Sequence, residues 1–209
     1  MIAWPKMQEI LPERTIGTAQ IKHFEVSKTA SESTLARSIF SRDCNAYVPE
    51  GKYARLEIAG DVVMSDTLME QNSNSHAVYS MNGHALIAGL GFGMMLIPVC
   101  RKPEVLSITV IEKNADVIAL VETPVRATLG NDSTKVKIIN ADIFTWKPEK
   151  GQKFDTIWFD IWTDICTDNL NEISTLKRRF AKKLNRTNPN CWMGAWQEEN
   201  LRYYRRTGR

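Results

Sequence analysis

The chain has 209 residues, 43% of them hydrophobic and 24% charged, with a formal net charge of +3. That length supports one sizeable core, is too short for two full α/β domains, and the composition is ordinary for a soluble globular protein. So mild a charge excludes a molecule that binds nucleic acid through its overall field.

Four scattered cysteines, Cys44, Cys100, Cys166 and Cys191, form no C-x-x-C and have no histidine at ligand spacing. They read as free thiols in a reducing compartment, with no disulfide and no metal site. The apolar run from Ala85 to Cys100 contains three glycines and Pro98. It falls short of the roughly 20 residues of a membrane span. The opening Met-Ile-Ala-Trp-Pro-Lys lacks the basic-then-apolar order of a signal peptide. A cytoplasmic protein without a membrane partner is expected.

Residues 1–82 read as a region of short strands and turns. His23-Phe-Glu-Val-Ser27 and Ala54-Arg-Leu-Glu-Ile58 alternate, and Gly60-Asp61 is a turn pair before Val62-Val-Met64. A β-hairpin over Arg55–Met64 follows. The Ser/Thr-rich stretch 28–38 fits a short helix or a loop. Asn72-Ser-Asn-Ser75 signals a loop, with a short strand at Ala77–Tyr79 after it.

Over 83–209 strands alternate with helices, the pattern of a parallel sheet wrapped by helices. Strands are expected at Ala85–Ala88, Ser107–Glu112, Lys135–Asn140, Thr156–Asp160 and Trp192–Trp196. A helix from Gly93 to Arg101 should be kinked or shortened by Pro98. Asn114 should cap a helix through Val121, interrupted at Pro124. Thr167 or Asp168 should cap a long amphipathic helix whose Leu170, Ile173, Leu176, Phe180 and Leu184 share one face. A short basic helix is expected over Asn200–Arg206. From Lys177 to Arg209 there are ten Lys or Arg against Glu198 and Glu199. A solvated helix face with a basic tail is favoured over a nucleic-acid patch.

The chemistry-bearing stretch is Ala85-Leu-Ile-Ala-Gly89-Leu-Gly91-Phe-Gly93-Met-Met, with Glu112 ending the next apolar run 19 residues after Gly93. A β-α-β unit holds a nucleoside in this way: glycines admit the ligand to the backbone, and the acid accepts from ribose hydroxyls. A dinucleotide fingerprint starting at Gly89 needs glycine at position 94, which is Met94. The G-x-G-x-G found instead is the form associated with S-adenosylmethionine. The competing reading is a plain glycine turn between core elements, with Glu112 a solvated strand end.

Ligands of open parallel sheets bind at the carboxyl ends of strands, where Asp142 and Asp160 also lie. Asp142 suits an adenine amino group, with Ile143 packing on the ring. Asp160 can orient an amine nucleophile or take its proton; its alternative is a buried structural carboxylate. Asp164 either assists or is a loop acid, Trp158 reads as core, and Trp162 is a candidate for the acceptor pocket. His23, His76 and His84 lack metal spacing and read as structural or surface groups. No G-x-S-x-G, P-loop or Ser/His/Asp set is present.

On these residues the chain resembles class I S-adenosylmethionine-dependent methyltransferases, and most of all their spermidine-synthase-like branch. The resemblance runs over about residues 54–165. Its carriers are Gly60-Asp-Val-Val-Met-Ser-Asp66-Thr with Glu70, the Gly89-Leu-Gly91-Phe-Gly93 loop, Glu112, Asn140-Ala-Asp142 and Asp160-Ile-Trp. It implies a Rossmann-like α/β sheet and a small N-terminal β-region that gates the site. By the same resemblance Gly89, Gly91 and Gly93 meet the methionine part of the cofactor, Glu112 the ribose and Asp142 the adenine. Asp160 falls at the catalytic acid position, and Asp66, Glu70, Trp162 and Asp164 on the substrate side.

Two departures stand out. The loop is leaner than in aminopropyltransferases, and only one strand follows the long helix, which leaves a shortened sheet edge open to dimer pairing. The expected activity is methyl transfer from S-adenosylmethionine to a small-molecule acceptor. The alternatives are aminopropyl transfer from decarboxylated S-adenosylmethionine to a polyamine, and a non-catalytic binding protein.

Overall fold

A computed structural model describes residues 2–41 and 43–208; Arg209, counted above in the basic tail, lies outside them. The chain begins with a single turn, α1 (Met7–Ile10), and a four-stranded antiparallel sheet. Its strands β1 (Arg14–Ile16), β2 (Ala19–Val26), β3 (Gly51–Ile58) and β4 (Asp61–Ser65) are hydrogen-bonded in chain order. The long helix α2 (Lys28–Ser41) interrupts them between β2 and β3, which resolves the stretch the sequence left open. The expected hairpin is present, but Ile58 pairs with Asp61, so the turn residues are Ala59 and Gly60. Both have positive φ, 53° and 92°, the twist a two-residue hairpin turn requires.

The next element corrects the sequence reading. Residues expected to form a loop at 72–75 and a strand at 77–79 are one helix, α3 (Leu68–Ser80). Its polar side chains serve the helix: Ser73 and Asn74 donate to the Glu70 carbonyl, and Ser75 donates to that of Gln71. Ala77 and Val78 are buried in the main core, so packing overrides weak local propensity.

A five-stranded parallel sheet follows, in the order β7-β6-β5-β8-β9. It comprises β5 (Gly83–Ala88), β6 (Val105–Glu112), β7 (Val136–Asn140), β8 (Thr156–Phe159) and β9 (Trp192–Ala195). Helices α4 (Leu96–Cys100), α5 (Ala115–Leu129), α6 (Asn169–Phe180) and α7 (Glu198–Thr207) flank it. Period-two alternation splits the sheet's side chains between two cores. Ala85, Ile87, Val110 and Trp158 join α4, α5 and the antiparallel sheet; Leu86, Ala88, Ile157 and Phe159 join α6 and α7. This is an α/β architecture: a parallel sheet between helices, with a smaller antiparallel sheet before it.

Three helix expectations change. Pro98 leaves α4 only five residues long, starting at Leu96 rather than Gly93. Asn114 does cap α5, its Oδ1 accepting from the amides of Asp116 and Val117. That helix runs through Pro124 to Leu129, because Val117, Leu120, Val121, Val125 and Leu129 bury one continuous face. In α6, Leu170, Ile173, Leu176 and Phe180 are buried, while Leu184 lies past the helix end and bridges to Phe154. Asp168 precedes the helix without a side-chain cap bond.

Two buried carboxylates act as structural staples. Asp66 Oδ2 accepts from the Met7 amide at 2.9 Å and Oδ1 from the Ala54 amide at 2.8 Å, tying α1 to β3. Asp155 accepts from the His84 amide, Asn185 and Asn188. Burial alone would raise its pKa, but these donors hold it below the ordinary range. No helix among the described residues is long and apolar enough to cross a membrane.

Candidate active site

The parallel strands run outward from β5 in opposite directions, to β6 and β7 on one side and to β8 and β9 on the other. The switch point therefore lies between β5 and β8, where ligands of such sheets bind. A cleft of about 850 Å³ opens there, between the carboxyl ends of the strands, hairpin β3–β4 and α3. That volume is within the usual range for a small-molecule or cofactor site.

Gly89 leaves β5 with φ 99°, and a Cβ on it would stand 1.9 Å from the Asp160 carbonyl oxygen. Only glycine allows the two strand ends to meet so closely. Gly91 also has positive φ, and a Cβ there would meet Met64 Sδ at 2.4 Å. That sulfur already accepts the Phe92 amide at 3.2 Å, so β4 lies directly over the glycine turn. Gly93 differs from the expectation that all three glycines face the ligand. It does not line the cleft but packs against Val125 of α5, where a Cβ would come within 2.9 Å.

Glu112 is half-buried at the end of β6, not a freely solvated strand end. Its Oε2 accepts the Leu90 amide at 2.8 Å and its Oε1 the Asn114 amide at 2.7 Å. The acid thus ties the glycine turn to the start of α5 and keeps lone pairs for further donors. Asp142 also lines the cleft, accepting from the Phe144 amide and facing Lys113 Nζ at 3.4 Å. Ile143 beside it is buried. Asn140 donates to the carbonyls of Glu112 and Lys113, holding these strand ends together.

Asp160 lines the cleft opposite Glu70 of α3, a residue only 6% exposed. Burial pushes Glu70 well above the carboxylate range and the charge of Asp160 adds to that, with Asn74 opposing. Burial likewise raises Asp160. The indole N–H of Trp158 opposes that rise, although it meets no partner at hydrogen-bond geometry. Burial thus biases both carboxyls toward their protonated forms.

Trp162 lines the cleft and donates from Nε1 to Glu172 at 2.7 Å. Two expected substrate-side acids do not reach it. Asp66 is consumed by the amides of Met7 and Ala54, and Asp164 is an exposed loop acid. Sequence reasoning missed Asn74, Met64 and Trp196, all of which line the cleft. Trp196 donates to Ser73 of α3 at 3.0 Å, joining that helix to the end of β9. The signal for Asn74 was its spacing of four from Glu70, which matters only once the segment is read as a helix.

Among the described residues, six carboxylates line the cleft, those of Glu70, Glu112, Asp116, Asp142, Asp160 and Glu172, against the single cation Lys113. The site is thus acidic in a chain of formal charge +3. Much of the compensating positive charge at the C-terminal end is used internally. Lys177 and Arg202 pair with Glu198, and Arg179 donates to the carbonyls of Ile143, Phe144 and Trp146. Among the described residues no His/Cys/Asp/Glu group is arranged to hold a metal ion. His23 and His84 bond to the Leu11 carbonyl and Ser107, and His76 packs edge-on to Trp192.

No family model matches the chain. It is 31% identical over 137 residues to polyamine aminopropyltransferase 1 of Streptomyces coelicolor, a match covering 62% of this chain and 26% of the relative. The matched segment thus spans about a quarter of that relative's length. Among solved structures, it is similar to the CcbJ methyltransferase of Streptomyces caelestis (15% identity, 60% of this chain and 47% of that one, TM-score 0.44). It is also similar to the methyltransferase SibL (22% identity, 56% and 33%, TM-score 0.42).

Proposed function

We propose that the cleft binds S-adenosylmethionine and that the chain transfers its methyl group to a small-molecule acceptor. The carrying observation is Glu112, held by the Leu90 and Asn114 amides beside the Gly89 turn at the sheet's switch point. In this reading the turn backbone receives the methionine part, and the free lone pairs of Glu112 accept the ribose hydroxyls. Asp142 and Ile143 receive the adenine. The scattered free thiols suit a reducing compartment, the cytoplasm.

The chemistry asks little beyond alignment. An acceptor nitrogen or oxygen attacks the sulfonium carbon as the S–C bond breaks, and the bonding pair stays on sulfur. Asp160 orients the acceptor and takes its proton, and water exclusion by hairpin β3–β4 supplies much of the remaining rate.

Calorimetric titration with S-adenosylhomocysteine tests the reading. Micromolar affinity is expected, about −8 kcal/mol. An absence of heat and of thermal shift at millimolar ligand, or binding of NAD instead, overturns it. Glu112→Ala should lower that affinity at least tenfold, since charge-assisted hydrogen bonds are worth about 1.5–3 kcal/mol each. The variant also frees two amides and should melt a few degrees lower. Unchanged affinity would return Glu112 to a purely structural role.

A second reading draws on the acid excess of the cleft. Lys113 already faces Asp142, and among the described residues no other cation lines the cleft to meet the donor's carboxylate. That favours a decarboxylated donor and aminopropyl transfer to a polyamine, the activity named for the Streptomyces relative, and with it the spermidine-synthase-like branch. Titration with both donors separates the readings: a tenfold preference for the decarboxylated form selects aminopropyl transfer.

A further inference from the structure

The positive charge of the C-terminal half is not all spent inside the fold. Segments 147–154 and 181–187 are laced together at the amino end of β8, the opposite end of the sheet from the cleft. The Phe154 amide donates to the Lys183 carbonyl at 2.8 Å, and the Asn185 amide donates to the Phe154 carbonyl at 2.7 Å. The two segments carry Lys147, Lys150, Lys153, Lys182, Lys183 and Arg186 against a single acid, Glu149. Glu149 faces Lys137 at 3.8 Å, and among the described residues none of the six cations pairs with a carboxylate. Asp155 lies next in the chain, but it is buried and its oxygens are taken by the His84 amide, Asn185 and Asn188.

Three of the cations, Lys153, Lys182 and Arg186, line a groove of about 540 Å³, and no acid among the described residues lines it with them. Two ammonium groups are tethered. Lys153 Nζ donates to the Lys182 carbonyl, and Lys183 Nζ to that of Glu149 at 3.2 Å. Each keeps two protons for an outside acceptor. The dipole of α6 accounts for Lys182 and Lys183, which follow its last turn, but not for Lys147, Lys150 and Lys153 on another segment. Like charges gathered in a concavity repel one another and focus their field outward, and an anion relieves both. Six cations on two segments exceed the needs of one phosphate group. A membrane or protein partner would ask for apolar side chains to bury, and among the described residues no exposed large hydrophobic lies on either segment.

We propose that this groove binds the phosphate backbone of a nucleic acid without reading its sequence. Lys153, Lys182 and Arg186 contact phosphates, and Lys147, Lys150 and Lys183 extend the track on either side. Such contacts hold a chain in place and carry no base information. The mild overall charge does not oppose this, because the acidic cleft lies at the far ends of the strands.

The test follows the fluorescence anisotropy of a labelled DNA duplex two helical turns long, titrated with the full chain over a range of salt. Micromolar binding is expected at low salt. Log K should fall with log salt at a slope of about −3 to −5, as three to six neutralised phosphates dictate. A duplex of unrelated sequence should bind within about threefold. Lys182→Gln with Arg186→Gln should weaken binding at least tenfold and reduce the slope by about 2. That variant should melt no lower than the wild type, since it relieves like-charge crowding. Lys28→Gln with Arg37→Gln removes the same charge from α2, in the antiparallel half, and should leave binding nearly unchanged. No duplex binding at low salt overturns the proposal, as does binding that survives the groove substitutions or falls equally with the α2 pair. Binding to vesicles of phosphatidylserine and phosphatidylcholine in equal parts, or to inorganic phosphate, without duplex binding would likewise overturn it.

Discussion

Asp160→Asn should lower turnover on the true acceptor by roughly 10²–10⁴, the usual worth of a positioned base, while cofactor affinity stays within a few fold. The two effects separate because the proposed nucleoside contacts come from the Gly89 turn, Glu112 and Asp142, whereas Asp160 faces Glu70 across the acceptor side of the cleft. The substitution keeps size and hydrogen-bonding capacity and removes charge and basicity. The sign of the pH effect follows from burial, which pushes Asp160 up to about 7. A base works only when deprotonated, so wild-type kcat/KM should rise with pH through neutrality and level off above it. The Asn variant should lack that acid limb. Glu70→Gln leaves that burial in place, so the limb should stay near neutrality. Wild-type turnover by Asp160→Asn would eliminate the catalytic role.

The parallel half of the fold is legible because its strands are apolar runs bounded by glycine, proline or a cap, and period two sorts them between two cores. Gly89 and Glu112 were readable as a pair because a tight turn and a strand-end acid are local features at a fixed separation. The rest depends on distant partners. Residues 72–79 carry Ser and Asn, which favour turns in isolation; only burial of Ala77 and Val78 makes the segment helical. With that helix unread, Asn74 could not be joined to Glu70. Asp66 and Asp164 misled for a similar reason, since a carboxylate's role is decided by which amides or cavities reach it. The Met7 and Ala54 amides that claim Asp66 lie 59 and 12 residues away. Pro124 points the same way, because a continuous buried face carries α5 through a residue that ordinarily ends helices.

Gly89→Ala should be the most damaging single-methyl change in the site. At φ 99° an L side chain is strained, at a cost of about 1–3 kcal/mol. The new Cβ would also stand 1.9 Å from a backbone oxygen, that of Asp160. Nothing flexible is there to yield. Relief requires the ends of β5 and β8 to part, beside the Asp160 amide bond to the Ala88 carbonyl at 2.8 Å. The same movement drags Asp160 away from Glu70 and tilts the glycine turn off Glu112, so folding and binding are lost together. A combined cost of 3 kcal/mol corresponds to a melting point roughly 6–12 °C lower for a chain of this size, and cofactor affinity should fall more than a hundredfold. Gly60→Ala is the control, since it also has positive φ, 92°, but a Cβ there meets nothing within 4 Å. It should carry strain alone, melt only a few degrees lower and bind cofactor normally. If Gly89→Ala matched Gly60→Ala in both measurements, the close approach of the two strand ends would not be what makes glycine necessary at the turn.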